Sequence, residues 1–280
     1  MSPKTRADLT SIVLNVLLPC SIFSAYQRGL TPEILRWGLV VFLAAVGMQV
    51  LTFLLNKFLY NWIPPGRRLV LKYATMTNNA SFMGFSVLGG IFGEIGILYG
   101  SIFIIPMRIM SWTSGLPLFT DLEARERVVS LVTNPCMVAV ILGIGYVFVP
   151  FELPAFLTET IAVVGYCVRV MPMLIVGSIL HGVKPKEVLD IHCFYYSFFR
   201  LIAIPAIMFG VLTLLDIDPI AISVTVLMAG MPSAVLTATL AEKYGKEPEF
   251  ASKIVFVSIM LSIVTLPLIA YGLAWWGHQL

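Results

Sequence analysis

The feature that most constrains this chain is a succession of apolar runs of about 20 residues or more, separated by short polar joints. A run of that length carries a helix across a bilayer. Nine can be read, at about 9–29, 34–60, 69–92, 95–118, 128–149, 156–181, 187–214, 219–243 and 250–276. Six have a charge-free centre; the fourth, sixth and seventh each hold one arginine in the middle. The runs are unbroken rather than alternating, which argues against a membrane β-barrel. Composition agrees, with 59% hydrophobic residues, 12% charged residues and a mean hydropathy of +0.93. A soluble domain carries roughly 25% charged residues. Soluble enzymes, disordered chains and coiled coils are thereby excluded. A net charge of +3 gives no basic surface for nucleic acid. The expected fold class is an all-α polytopic membrane protein with nine transmembrane helices in the cell (inner or plasma) membrane.

Lysine and arginine set the orientation. One side of the membrane receives Lys4, Arg6, Lys57, Arg67, Arg68, Lys72, Arg125, Arg127, Lys184, Lys186, Lys243, Lys246 and Lys253; the other receives Arg28 and Arg36. The basic-rich side is expected to be cytoplasmic, with the N-terminus inside and the C-terminus outside. Lys4 and Arg6 before an apolar run ending at Ser24-Ala25 imitate a signal peptide. The repeat described next argues against cleavage. Cys20, Cys136, Cys167 and Cys193 all lie in apolar runs with no Cys-x-x-Cys pair and no histidine at ligand spacing, so no metal and no cofactor is expected.

Two runs share the pattern Pro-x9-Gly-x2-Pro: Pro19, Gly29, Pro32 and Pro172, Gly182, Pro185, offset by 153 residues. At that offset the second run falls on the seventh, the third on the eighth and the fourth on the ninth. Phe92-Gly93 meets Tyr244-Gly245 with a one-residue slip. Five crossings separate the copies, so they have opposite orientation, an inverted repeat of the kind used by secondary transporters. The expected units are residues 1–127, four helices plus the central cytoplasmic loop, and 128–280, five helices. The fifth run's partner would precede Met1, so the expected architecture is five-plus-five lacking its first helix.

The third run holds Thr77, Asn78, Asn79 and Ser81 in mid-membrane, followed by Gly84. The repeat sets this cluster opposite Met231-Pro232-Ser233 in the eighth run. Proline lacks an N–H and clashes with the preceding turn, so it breaks a helix. Non-helical backbone is tolerated at this depth only where it is buried or lines a cavity. Each second half-helix offers free N–H groups and a positive dipole end, and two such ends make an anion site. The competing reading is that Asn78 and Asn79 only join helices and that Pro232 only kinks one. Arg108, Arg169 and Arg200 are mid-run, whereas all fifteen carboxylates lie near or outside the boundaries. Each buried arginine costs on the order of 2.5–3.5 kcal/mol to insert. An anionic ligand would offset that cost, and so would carbonyls at broken helix ends. Arg169, on the proline-bearing sixth run, is expected to be structural and away from the broken pair. Gly89-x3-Gly93 and Gly96-x3-Gly100 fit close helix packing. Gly84-Phe85-Ser86-Val87-Leu88 misses the nucleophile elbow, and no metalloprotease or phosphate-loop motif occurs. An enzyme is not expected.

Asn79-Ala80-Ser81-Phe82-Met83-Gly84-Phe85 followed by Phe92-Gly93-Glu94 resembles the fourth helix of the auxin efflux carrier family, which includes bacterial malate-permease-like members. Ile105-Pro106-Met107-Arg108-Ile109 with Trp112, and Asn134-Pro135-Cys136, also look like that family. The most specific block is Ala229-Gly230-Met231-Pro232-Ser233-Ala234-Val235, then Leu240-Ala241-Glu242-Lys243-Tyr244-Gly245, Ser258 and Leu266-Pro267. The resemblance covers essentially the whole chain. It implies two inverted five-helix repeats whose broken helices, here the third and eighth runs, cross at the substrate site. It also implies a scaffold of the first, fifth and sixth runs and a mobile unit of the rest. Two departures stand: the first family helix is absent, and Ser86 occupies the place of the family's proline after Gly84.

The expected function is a secondary carrier of small organic anions, malate-like or auxin-like carboxylates. Its expected substrate-binding residues are Asn78, Asn79, Gly84, Met231, Pro232, Ser233, Arg108 and Arg200. The alternatives are a sodium-coupled symporter of the bile-acid carrier type and a membrane binding or sensor subunit that does not transport. The expected partners are the anion and the lipid bilayer, with a homodimer left open.

Overall fold

A computed structural model describes residues 3–27, 31–120, 124–149, 153–180 and 190–277. Arg28 and Gly29, Gly182, Lys184, Pro185 and Lys186, Asp121-Leu122-Glu123 and Gln279 lie outside the described residues.

Every regular element among the described residues is helical. The order is α1 (Pro3–Ile12), a π-turn (Val13–Leu17), α2 (Leu18–Gln27), α3 (Pro32–Phe58) and α4 (Pro65–Met76). A π-turn (Ala80–Gly84) then leads into α5 (Phe85–Ile91), and α6 (Gly93–Met110) continues through Ser111–Gly115 and Leu116–Leu118. Next come α7 (Ala124–Val132), α8 (Pro135–Val147), α9 (Ala155–Tyr166), a 3-10 turn (Cys167–Arg169) and α10 (Met171–Leu180). The chain closes with α11 (Ile191–Phe198), a π-turn (Phe199–Ala203), α12 (Ile204–Leu212), α13 (Pro219–Ala229), α14 (Val235–Lys243) and α15 (Pro248–Gly277).

Among the described residues, five continuous rods are long and apolar enough to cross a membrane: Asp8–Gln27, Pro32–Phe58, Gly93–Leu118, Ile191–Leu212 and Pro248–Gly277. The other four expected runs are interrupted. The third breaks at Thr77–Asn79 and the eighth at Gly230–Ala234. The sixth tightens into the 3-10 turn that precedes Pro172. The fifth differs from the sequence expectation: it is two helices. The Asn134 side chain accepts the Cys136 N–H at 3.1 Å, and Pro135 opens α8. A polar cap followed by proline starts a helix rather than continuing one. The same device opens α3, where Thr31 accepts from Ile34, and α13, where Asp218 accepts from Ala221.

The helices pack around two apolar clusters. The larger joins α2, α3, α5, α6, α8 and α13, with Tyr26, Met48, Phe85, Phe103 and Met228 among its buried members. The smaller gathers Tyr60, Ile63, Leu71, Tyr73, Tyr196 and Phe250. At its edge Arg67 pairs with Asp190 at 3.1 Å, and Asp190 also holds His192 Nδ1 at 2.8 Å, tying the start of α4 to the start of α11. Asp190 is partly buried, which pushes its carboxyl up. The backbone and ring bonds from His192 and the charge of Arg67 outweigh this and hold it below the usual carboxylate range. Gly96 and Gly100 lie against Leu88, where an added Cβ would come within 2.8 Å of it, so these two serve close packing as expected.

Candidate functional site at the crossing of two broken helices

Two interruptions meet. The last turn of α4 ends at Met76, and Thr77, Asn78 and Asn79 leave the helix before the π-turn begins at Ala80. α13 ends at Ala229, and Gly230–Ala234 run on before α14 starts at Val235. The two stretches pair antiparallel at Asn78 and Ser233. Asn79 donates its backbone N–H to the Pro232 carbonyl at 2.8 Å. Ser233 donates its own N–H to the Ser258 hydroxyl at 3.1 Å, which fixes the crossing to α15.

The expected residues Asn78, Asn79, Gly84, Met231, Pro232 and Ser233 therefore gather around one crossing, and Asn78, Asn79, Met231 and Ser233 are each at most 3% exposed. Their side chains are used differently. Asn78 donates through Nδ2 to the Met228 carbonyl, and its Oδ1 accepts the Ala80 N–H at 3.2 Å. It caps the C-terminal end of α13 and the N-terminal end of the next half-helix together. Asn79 Nδ2 is buried with no protein partner. Gly84 faces the side chain of Met228, and a Cβ there would lie 2.7 Å from its sulfur. Glycine here leaves room for the Met228 side chain.

The arginines divide likewise. Arg200 is wholly buried. Its Nε donates to the Met231 carbonyl at 3.1 Å and its Nη1 to the Thr75 carbonyl at 3.0 Å, while Nη2 has no protein partner. One guanidinium thus bridges a C-terminal carbonyl of α4 and the carbonyl side of the α13 break. Arg108 is half-buried and donates through Nη2 to the Ser81 hydroxyl at 2.6 Å, at the start of the second half-helix; its Nε has no protein partner. Arg169 corrects an expectation. It lies against the broken helix, with its Cγ and Nε 3.4 Å from where a Cβ of Gly89 would sit, and stacks 3.9 Å from the Tyr166 ring. The Ser86 hydroxyl lies 2.8 Å from the Val168 carbonyl and 2.9 Å from that of Phe82 and shares its proton between them, which ties this 3-10 turn to α5. Ser86 thus joins the two.

Three tyrosines were missed in the sequence. Tyr60 bonds the Thr75 hydroxyl at 2.7 Å, Tyr73 the Ser111 hydroxyl at 3.2 Å, and Tyr196 donates to the Ala74 carbonyl at 3.0 Å. Tyr196 and Arg200 are four residues apart, so one face of the α11 rod braces the end of α4 twice. The spacing was readable, but a tyrosine in an apolar run does not announce which carbonyl it serves. Two apolar grooves of about 450 Å³ lie elsewhere, one lined by Leu201, Pro205, Phe209 and Leu268, the other by Pro19, Phe23, Pro135 and Ile161.

A family profile described as membrane transport protein matches residues 1–270. An uncharacterized transporter of Methanothermobacter thermautotrophicus is 28% identical over 284 residues, covering 96% of this chain and 89% of its own length. An uncharacterized transporter of Methanocaldococcus jannaschii is 25% identical, covering 93% and 87%. With an all-helical body and several rods of membrane length, this chain is a multi-pass membrane protein and belongs to the membrane transport protein family, that of the auxin efflux carriers.

Proposed function

We propose that the chain is a secondary carrier that holds a small organic anion, a carboxylate, at the crossing of its two broken helices. The observation that carries this reading is a set of buried donors with no protein acceptor: Asn79 Nδ2, Arg108 Nε and Arg200 Nη2. Buried polar groups are nearly always bonded. All three are donors, and two belong to cations. An acceptor with negative charge fits these donors.

An inverted repeat would supply the transport mechanism. Asn79 and Pro232 are separated by the same 153 residues as the two proline motifs, and they are hydrogen-bonded to each other. Gly93 and Gly245, the repeat's matching turns, both have φ of +62°. These features support two units, 1–127 and 128–280, related by a pseudo-two-fold axis near the crossing, with nine spans in all. Rocking of the bundle that holds the crossing against the first, fifth and sixth spans would expose the site alternately. The basic residues support an N-terminus in the cytoplasm.

The test is uptake of labelled malate and labelled indole acetate into vesicles holding the purified protein, with and without proton or sodium gradients. Saturable uptake that Asn79→Ala weakens supports the reading. Uptake that requires sodium makes it a symporter, and binding without uptake makes it a sensor or binding subunit.

A further inference from the structure

The charge at the crossing has a consequence for how the carrier turns over. Arg200 cannot lose its proton in a protein. Among the described residues, the ion pairs are those of Arg67 with Asp190 and Glu247, His192 with Asp190, and Lys253 with Glu249, so no carboxylate pairs with Arg200. Its partners are two carbonyls. A helix end carries about half an elementary charge, negative at the C-terminus and positive at the N-terminus. Two C-terminal and two N-terminal ends meet here, so the dipole ends cancel and the guanidinium leaves about one positive charge over. Arg108, half-buried on Ser81, adds charge of the same sign.

Alternating access requires an occluded step in which both sides are shut. Thr75, Asn78, Asn79, Arg200, Ser233 and Thr237 are each at most 3% exposed, so the crossing as it stands excludes bulk water. Closing over an uncancelled charge costs several kcal/mol of lost hydration, and a bound carboxylate cancels that charge. We propose that the protein is an anion exchanger, which reorients readily with a carboxylate on Arg200 and slowly without one. This rests on the carrier reading above.

The experiment uses the full chain in proteoliposomes. Labelled malate or indole acetate is added outside, and the vesicles hold either the same unlabelled acid or its neutral amide. Entry should be at least about tenfold faster into acid-loaded vesicles, since about 1.4 kcal/mol in barrier already gives that factor. Arg200→Lys keeps the charge and should keep this ratio whatever its absolute rate. Arg200→Gln removes the charge and should bring the ratio towards one. Equal entry into both kinds of vesicle by the wild type overturns exchange and leaves the carrier reading standing. Entry of neither acid into either kind overturns the carrier reading and exchange with it. An inserted Arg200→Gln protein with the wild-type ratio overturns the assignment to Arg200. Should Arg200→Gln fail to insert, the wild-type ratio and Arg200→Lys still decide.

Discussion

Asn78 and Asn79 are adjacent, buried and chemically identical, yet the structure assigns them opposite roles, and replacing each by alanine separates them. Asn78 satisfies the Met228 carbonyl and the Ala80 N–H. Asn78→Ala strands the Ala80 N–H and leaves the Met228 carbonyl only weak backbone bonds such as that from Met231 at 3.4 Å, at roughly 2–4 kcal/mol together in a dry interior. At roughly 2–4 °C per kcal/mol for a chain of this size class, the apparent Tm should fall by at least about 4 °C. The Asn79 amide has no protein acceptor through Nδ2, and its backbone N–H, which does bond Pro232, survives the substitution. Asn79→Ala should therefore move the Tm by no more than about 2 °C. It removes a donor to a charged ligand, worth about 1.5–3 kcal/mol, or roughly 10- to 150-fold in affinity. Thermal unfolding of the purified variants in detergent, followed by carboxylate binding, measures both. A marginal Tm change in Asn78→Ala, or a collapse of stability in Asn79→Ala with affinity intact, would refute the reasoning.

Three further outcomes follow from separate parts of the molecule. Gly84→Ala forces a Cβ against the Met228 sulfur and should destabilise by about 1–3 kcal/mol, as overpacking does, with Met228→Ala in the same chain restoring part of the loss on thermal unfolding. The Asp190 carboxyl is held below its ordinary value, so its contribution to stability is complete above the unfolded pKa near 3.9 and fades as pH falls through the lower folded value; the Tm gap between wild type and Asp190→Asn, small because the pair is partly solvated, should close below about pH 4 rather than near neutrality. Cysteines placed at Arg125 and at Gln279 should react differently with an impermeant thiol reagent on whole cells, position 279 labelling and position 125 staying protected; the reverse pattern would invert the proposed topology.

What could be read from the sequence follows from how loudly each residue breaks a local rule. Pro232 and the pair Asn78-Asn79 violate the apolar pattern of their runs, and the 153-residue offset set them opposite one another. The structure brings them into hydrogen bonding. Asn134-Pro135 carried the same signal for a helix start, but apolar length outweighed it and the fifth run was read through. Arg200 was visible as a costly charge, whereas its acceptors are backbone carbonyls, which every residue has and no sequence marks. Arg169 was misplaced for a related reason. The repeat assigned it to a helix remote in sequence from α5, and the contact with Gly89 depends on how the sixth run turns at Cys167–Arg169.

The central claim, that a carboxylate rests at the crossing, is tested most directly by protection at Ser81. This residue is 8% exposed, starts the half-helix after the break and accepts the bond from Arg108. Ser81→Cys, in a chain with Cys20, Cys136, Cys167 and Cys193 replaced, gives a single thiol whose modification rate by a small reagent can be followed in vesicles. The account predicts that a transported carboxylate slows this reaction in proportion to its occupancy and that the corresponding amide does not. A rate unchanged by a carboxylate that the same vesicles take up would contradict it.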